Sequence, residues 1–175
     1  MELLVKAASP IDNAYFAGFF DGEGCVAIRK FHNTNGTRNR WQLQLSVGQI
    51  DRGPLDLLSS FYGGSIHIDT ACNRKRHIWI WQAVARQAEG FLKSIISYCI
   101  VKREEIKIAL SFCETAREQG IFHKGHLRSE IQETELDAFR LALMAFRVNR
   151  KGPDVKSLET MKKARETSTI EELLG

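Results

Sequence analysis

Between Asp12 and Asp21 the chain has the hydrophobic period of a helix. Phe16, Phe19 and Phe20 fall on one side, and Ala14, Ala17 and Gly18 make a second side of small residues. Ser9 or Asp12 serves as N-cap, Pro10 suits a first turn, and Gly22 and Gly24 end the helix. The period then drops to two. Cys25 to Arg29 alternates, and a polar stretch with the turn pair Asn35-Gly36 follows. Next, Trp41, Leu43, Leu45 and Val47 alternate strictly with Gln42, Gln44, Ser46 and Gly48. Together these segments predict a hairpin with a long connection, and its second strand buries one face and leaves a polar one open.

The same sequence of periods returns. A short helix is expected from Leu55 to Phe61, ended by Gly63-Gly64. "SIHIDT" and "RHIWIWQAV" then read as a second hairpin. Its core face is ambiguous, because Ile78 and Ile80 alternate with Trp79 and Trp81. Helices are expected at Ala88–Ser97, Arg103–Arg117 and Glu130–Asn149. Gly152-Pro153 breaks the last one, so residues 1–152 are expected to form one domain and 153–175 a C-terminal helix or tail. The expected fold is α+β: an αββαββα core with an antiparallel four-stranded saddle sheet and helices on one face, plus C-terminal helices. No internal repeat is visible, and "AGFFDGEG" occurs once.

Composition adds little until charge is mapped. The 175 residues are 43% hydrophobic and 26% charged, ordinary for a globular chain. No apolar run approaches the roughly 18 residues that a membrane span needs. No signal peptide is evident, and the four scattered cysteines fit an intracellular protein, so no membrane partner is expected. Net charge is +4, but it is unevenly placed. From Cys25 to Ile50 no residue is acidic, while Arg29, Lys30, Arg38 and Arg40 are basic. From Thr70 to Ala88 the pattern repeats with Arg74, Lys75, Arg76 and Arg86. The remainder is acidic on balance, with 17 basic and 21 acidic residues. One basic face on an acidic body points to a polyanionic partner. A polar sheet face rimmed by arginine can enter a DNA groove. Arg29, Arg38, Arg40, Gln42, Gln44, Ser46, His67, Arg74 and Arg76 are the candidate DNA-binding residues.

"FAGFFDGEG", Phe16 to Gly24, resembles the motif of the LAGLIDADG homing endonucleases. Ala17, Gly18, Asp21 and Gly24 match it directly, Gly22 stands for alanine, and Glu23 holds the final acidic position. "GGSIHI", "WIW" and "FLKSIISYCIVKREE" resemble later family segments, so the likeness spans about Ala14 to Glu114. The resemblance implies a sequence-specific double-strand DNA endonuclease that hydrolyses phosphodiesters with Mg²⁺ or Mn²⁺. A single motif implies a homodimer on a long pseudo-palindromic site, with Ala14, Ala17, Gly18 and Asp21 at the paired helices. It further implies Glu23 and the Gly22 carbonyl as metal ligands, and Glu23, Gln49 and Lys102 as catalytic residues. Asp21 is read as structural, and Arg52 sits out of clean register with a further basic residue that family members often carry.

Two other functions compete. An intron RNA-splicing maturase would use the same fold on intron RNA, and a catalytically silent regulator would only bind DNA. Glu23, Gln49 and Lys102 argue against the silent regulator. An organelle and a bacterial or phage cytoplasm fit the sequence equally well.

Overall fold

The structure is a computed structural model that describes residues 7–32, 39–69, 77–120 and 129–150. Helix α1 spans Pro10–Glu23. Ser9 and Asp12 close a capping box: Asp12 N–H donates to Ser9 Oγ at 3.2 Å, and Ser9 N–H to Asp12 Oδ2 at 2.8 Å. The helix runs two residues past the expected end, so Gly22 lies inside its last turn and Gly24 alone stops it. Gly24 is required there, because a Cβ would overlap the Phe20 ring and carbonyl.

Strands β1 (Gly24–His32) and β2 (Asn39–Gln49) follow, then α2 (Gly53–Tyr62), β3 (Ser65–Ile68) and β4 (Trp79–Val84). Three helices complete the described chain: α3 (Ala85–Ile95), α4 (Arg103–Glu118) and α5 (Glu130–Arg150). The four strands form one antiparallel sheet in the order β1-β2-β4-β3. The Asn35-Gly36 turn and the expected boundary at 152–153 lie outside the described residues. Residues up to Leu143 form one compact unit; a second begins at Met144, and its described part is the end of α5.

One sheet face is packed and the other is open. Val26, Ile28, Trp41, Leu43, Leu45, Val47, Trp81 and Ala83 are buried on the packed face. Helices α1, α3 and α4 lie against β1 and β2, and α2 against β3 and β4. The ambiguous face of β4 is settled: Trp81 points into the core and Ile80 points out, paired with His67. Trp81 is fixed by chemistry at the preceding turn. Gly63 and Gly64 take φ of 70° and 92°, which glycine tolerates best, and the Gly63 carbonyl accepts the indole N–H at 2.8 Å. Phe91 collects the core aromatics, with ring centroids 5.2 Å from Phe20, 4.8 Å from Tyr62 and 5.4 Å from Trp81.

Candidate nucleic-acid interface and carboxylate site

The buried ring of Phe20 anchors the end of α1, and Glu23 leaves that end exposed. Gly24 faces Val47 across the sheet, and Gln49 lies two residues further along β2. The helix end and the end of β2 therefore meet at one edge. Gln49 is half-buried on the helix side of the sheet, opposite Trp79.

Asp21 ties this edge to the segment before α4. Its carboxylate accepts the N–H groups of Ile100 at 2.6 Å, Val101 at 3.0 Å and Lys102 at 2.9 Å. Partial burial opposes its charge, but these three donors and the Lys102 ammonium outweigh that and hold its pKa below the usual 3.8. Asp21 is thus committed to structure. Lys102, the residue before α4, is 4% exposed, and its Nζ donates to the Asp21 main-chain carbonyl. A buried cation therefore rests on the negative end of the α1 dipole, two residues from Glu23. Beside it, burial first and then the Asp21 carboxylate push the Cys99 thiol up to about 12.

The donors at this edge suit a hard cation. Glu23 offers a free-standing carboxylate, and Gly22 sits in a helix turn whose carbonyls lack intrahelical partners. Among the described residues no three His, Cys, Asp or Glu converge as a metal-holding group. With Asp21 occupied, Glu23 is the exposed carboxylate that α1 brings to the edge.

The outer side of α1 differs from the expected small-residue stripe. Ala17 is fully buried, with the Cys99 thiol 3.9 Å from its carbonyl, so it packs the chain's own core. Ala14 and Gly18 are exposed, in line with Ile11, Tyr15 and Gly22. Ile11 is 82% exposed, and Ile100, held by Asp21, is 81% exposed. A Cβ on Gly18 or Gly22 would meet nothing within 4 Å.

The open sheet face begins at the same edge. Cys25, Ala27, Arg29 and Phe31 of β1 pair there with Ser46, Gln44, Gln42 and Arg40 of β2. Gln82 and Ile80 of β4 and Ser65 and His67 of β3 complete it. No residue of the four strands is acidic. Six expected DNA-binding residues, Arg29, Arg40, Gln42, Gln44, Ser46 and His67, therefore share one face; Arg38, Arg74 and Arg76 lie outside the described residues. Gln44 Nε2 donates to Gln82 Oε1 at 3.3 Å, so these two amides act as a pair. Lys30 turns the other way: its Nζ lies 4.9 Å over the Trp41 ring, 3.7 Å from Glu133 and 3.9 Å from Asp137. Arg52 stacks 4.8 Å from the Trp79 ring centroid and donates to Asp56 at 3.0 Å.

The sequence profile described as LAGLIDADG endonuclease matches residues 16–109, more than half of the chain, and those residues hold the C-terminal half of α1, the whole sheet and the Asp21–Lys102 tie. The chain belongs to the LAGLIDADG endonuclease family. Solved structures of this fold agree. The archaeal intron-encoded homing endonuclease I-Vdi141I, complexed with DNA, is 15% identical with a TM-score of 0.63, covering 77% of this chain and 83% of its own. The homing endonuclease I-CvuI, in complex with its target in the presence of calcium, is 17% identical with a TM-score of 0.53, covering 77% and 95%. The meganuclease I-SmaMI, bound to uncleavable DNA, is 16% identical with a TM-score of 0.60, covering 77% of this chain and 45% of that one. No curated protein sequence matches the chain.

Within this LAGLIDADG fold, three groups escaped the reading of the sequence. Phe31 and Gln82 lie on the open face, and carrying the two-residue alternation past Arg29 would have found Phe31. Glu133 of α5 accepts from Asn39 Nδ2 at 2.9 Å and Trp41 Nε1 at 3.1 Å, beneath that face. No local pattern announces a contact between residues more than ninety positions apart.

Proposed function

We propose that two copies of this chain form a sequence-specific, divalent-metal-dependent DNA endonuclease that cuts both strands of a long pseudo-palindromic site. The observation that carries this reading is the exposed carboxylate of Glu23 at the end of α1, at the edge where an exposed helix stripe meets an acid-free sheet face. Helical glycine costs about 1 kcal/mol against alanine, and nothing in the chain itself requires Gly18 or Gly22. A second α1 approaching closely along Ile11, Ala14, Tyr15, Gly18 and Gly22 gives those glycines a purpose. It also brings a second Glu23 beside the first.

The residues then divide the work. The open face holds DNA in its groove, with Arg29 and Arg40 toward phosphates and base edges. Glu23 and the Gly22 carbonyl would hold Mg²⁺ or Mn²⁺, which when bound neutralises the phosphate and supports attack by water. Lys102 places fixed positive charge behind the helix end, where charge develops in the transition state. Gln49, at the end of β2 opposite Trp79, would orient the attacking water.

Cleavage of a plasmid library carrying randomised palindromic sites, with Mg²⁺ or with chelator, tests the reading. Metal-dependent double-strand breaks are expected, and Glu23→Gln should abolish them while leaving duplex affinity within a few-fold. Binding lost in step with cleavage would remove Glu23 from the chemistry. Tight binding to intron RNA without cleavage of any duplex would favour the splicing role instead. Affinity should also fall steeply between 50 and 200 mM salt, roughly 10³-fold if six phosphates are contacted. A flat salt dependence would leave the basic face without a polyanion.

A further inference from the structure

Away from Glu23 the open face carries a built cluster. Phe31 pairs with Arg40 across β1 and β2, and Arg29 pairs with Gln42 two residues nearer the site. The Arg40 guanidinium carbon lies 5.5 Å from the Phe31 ring centroid, and its Nη2 donates to Gln42 Oε1 at 3.2 Å. Phe31 is 45% exposed. It is the one carbocyclic aromatic side chain on this face among the described strand residues, since Trp41, Trp79 and Trp81 occupy the other face.

The cluster has a stiff mount. The pair Lys30 and Trp41 lies between the two open-face pairs and points to the opposite side. There Glu133 holds Trp41 Nε1 and Asn39 Nδ2, with Lys30 Nζ 3.7 Å away. Both strands are thus pinned from beneath at the level of the cluster. Side chains on braced strands hold their geometry better than side chains on loops.

The free groups define what the cluster can read. Arg40 keeps donors for an acceptor pair, and guanine offers O6 and N7 together in the major groove. Phe31 offers an apolar ring to a groove whose one apolar feature is the C5-methyl group of thymine. Gln42 recognises adenine by using its carbonyl and amide at once, and one of that carbonyl's two lone pairs already serves Arg40, which ties the amide's orientation to the guanidinium. We propose that this cluster reads a guanine flanked by a thymine in each half-site. Arg40 donates to the guanine, Phe31 packs on the thymine methyl, and Gln42 is a positioning residue for Arg40. The assignment rests on the DNA-binding reading above and names the base step that this surface selects.

The test starts from duplexes that the unaltered chain selects from a randomised library under non-cleaving conditions. Their consensus should hold guanine next to thymine in each half-site. Replacing that thymine with deoxyuridine removes only the methyl group and should weaken binding about fourfold, the worth of one buried methyl. Phe31→Ala should erase that penalty, and Arg40→Ala should erase the guanine preference. Gln42→Glu keeps an acceptor for Arg40, so it should retain the guanine preference while weakening binding to every sequence; Gln42→Leu should lose the preference. Indifference of the unaltered chain to deoxyuridine at every thymine overturns the proposal. So does a penalty that survives Phe31→Ala, or an adenine preference that Gln42→Glu removes. A chain that selects no duplex at all fails the DNA-binding reading itself, a separate and recognisable result.

Discussion

At the residue scale, the acidic pair in "FFDGEG" divides into two unlike groups. Asp21 faces inward and caps three N–H donors, while two residues later Glu23 faces solvent. The pKa of Asp21 is depressed in the folded chain, so its contribution to stability is full above the ordinary value of 3.8 and is lost as pH falls through the lower folded value. Asp21→Asn removes the charge but keeps an acceptor. It should cost about 2 kcal/mol at neutral pH and flatten the stability profile below pH ~4. Glu89, whose burial opposes its charge but is outweighed by Lys93 and Arg117, is lowered too and contributes with the same sign. The informative quantity is therefore the difference between variant and parent in urea unfolding from pH 7 to pH 2. Parallel profiles would mean that the three donors do not depend on the Asp21 charge. Loosening this tie should also displace Lys102, whose ammonium rests on the Asp21 carbonyl, so cleavage should slow more than DNA binding.

At the element scale, Gly18 gives the sharpest test, because its open surroundings separate folding from assembly. Gly18→Trp places a large side chain where the chain's own atoms leave space, so its thermal midpoint should stay level or rise slightly. The same change blocks close approach of a second helix, so the variant should sediment as a monomer and lose cleavage. A Gly18→Trp chain that still cuts both strands would overturn pairing through α1. How far the elements were legible follows from how distinctive each pattern is. The shift from a helical period to strict alternation at Gly24 placed α1, β1 and β2 to within a few residues, because glutamines and leucines separate two environments cleanly. Ala17 was harder, since a methyl group fits a core and a helix interface equally well; the structure places it inside. The face of β4 was undecided because both of its sides are apolar, and the deciding contact is the Gly63 carbonyl on the Trp81 indole. Gly22 was read as a stop, yet only Gly24 meets a ring that excludes a side chain.

At the scale of the molecule, the charge map was legible before any coordinates, since the two acid-free stretches of sequence supply β1, β2 and β4, neighbouring strands of one sheet. The brace beneath it was not, because Glu133 reaches Asn39 and Trp41 from a distant helix. The open face also carries its own reporter. Cys25 is exposed there, next to Gly24 and opposite Ser46, one step from the Glu23 edge. Cys99 and Cys113 are buried, and burial leads the causes that push both thiols up to about 12. At neutral pH they hold almost no thiolate and are shielded from reagents. Cys72 lies outside the described residues, so Cys72→Ser supplies a clean background. In that chain a maleimide should modify one site, Cys25, at pH 7.5. A bound duplex seated on the sheet must cover it and slow the reaction, and the protection should fade as salt releases the duplex. Unchanged labelling at saturating DNA would put the nucleic acid on another surface, and with it would go the base-reading role of Arg40 and the delivery of a phosphate to Glu23.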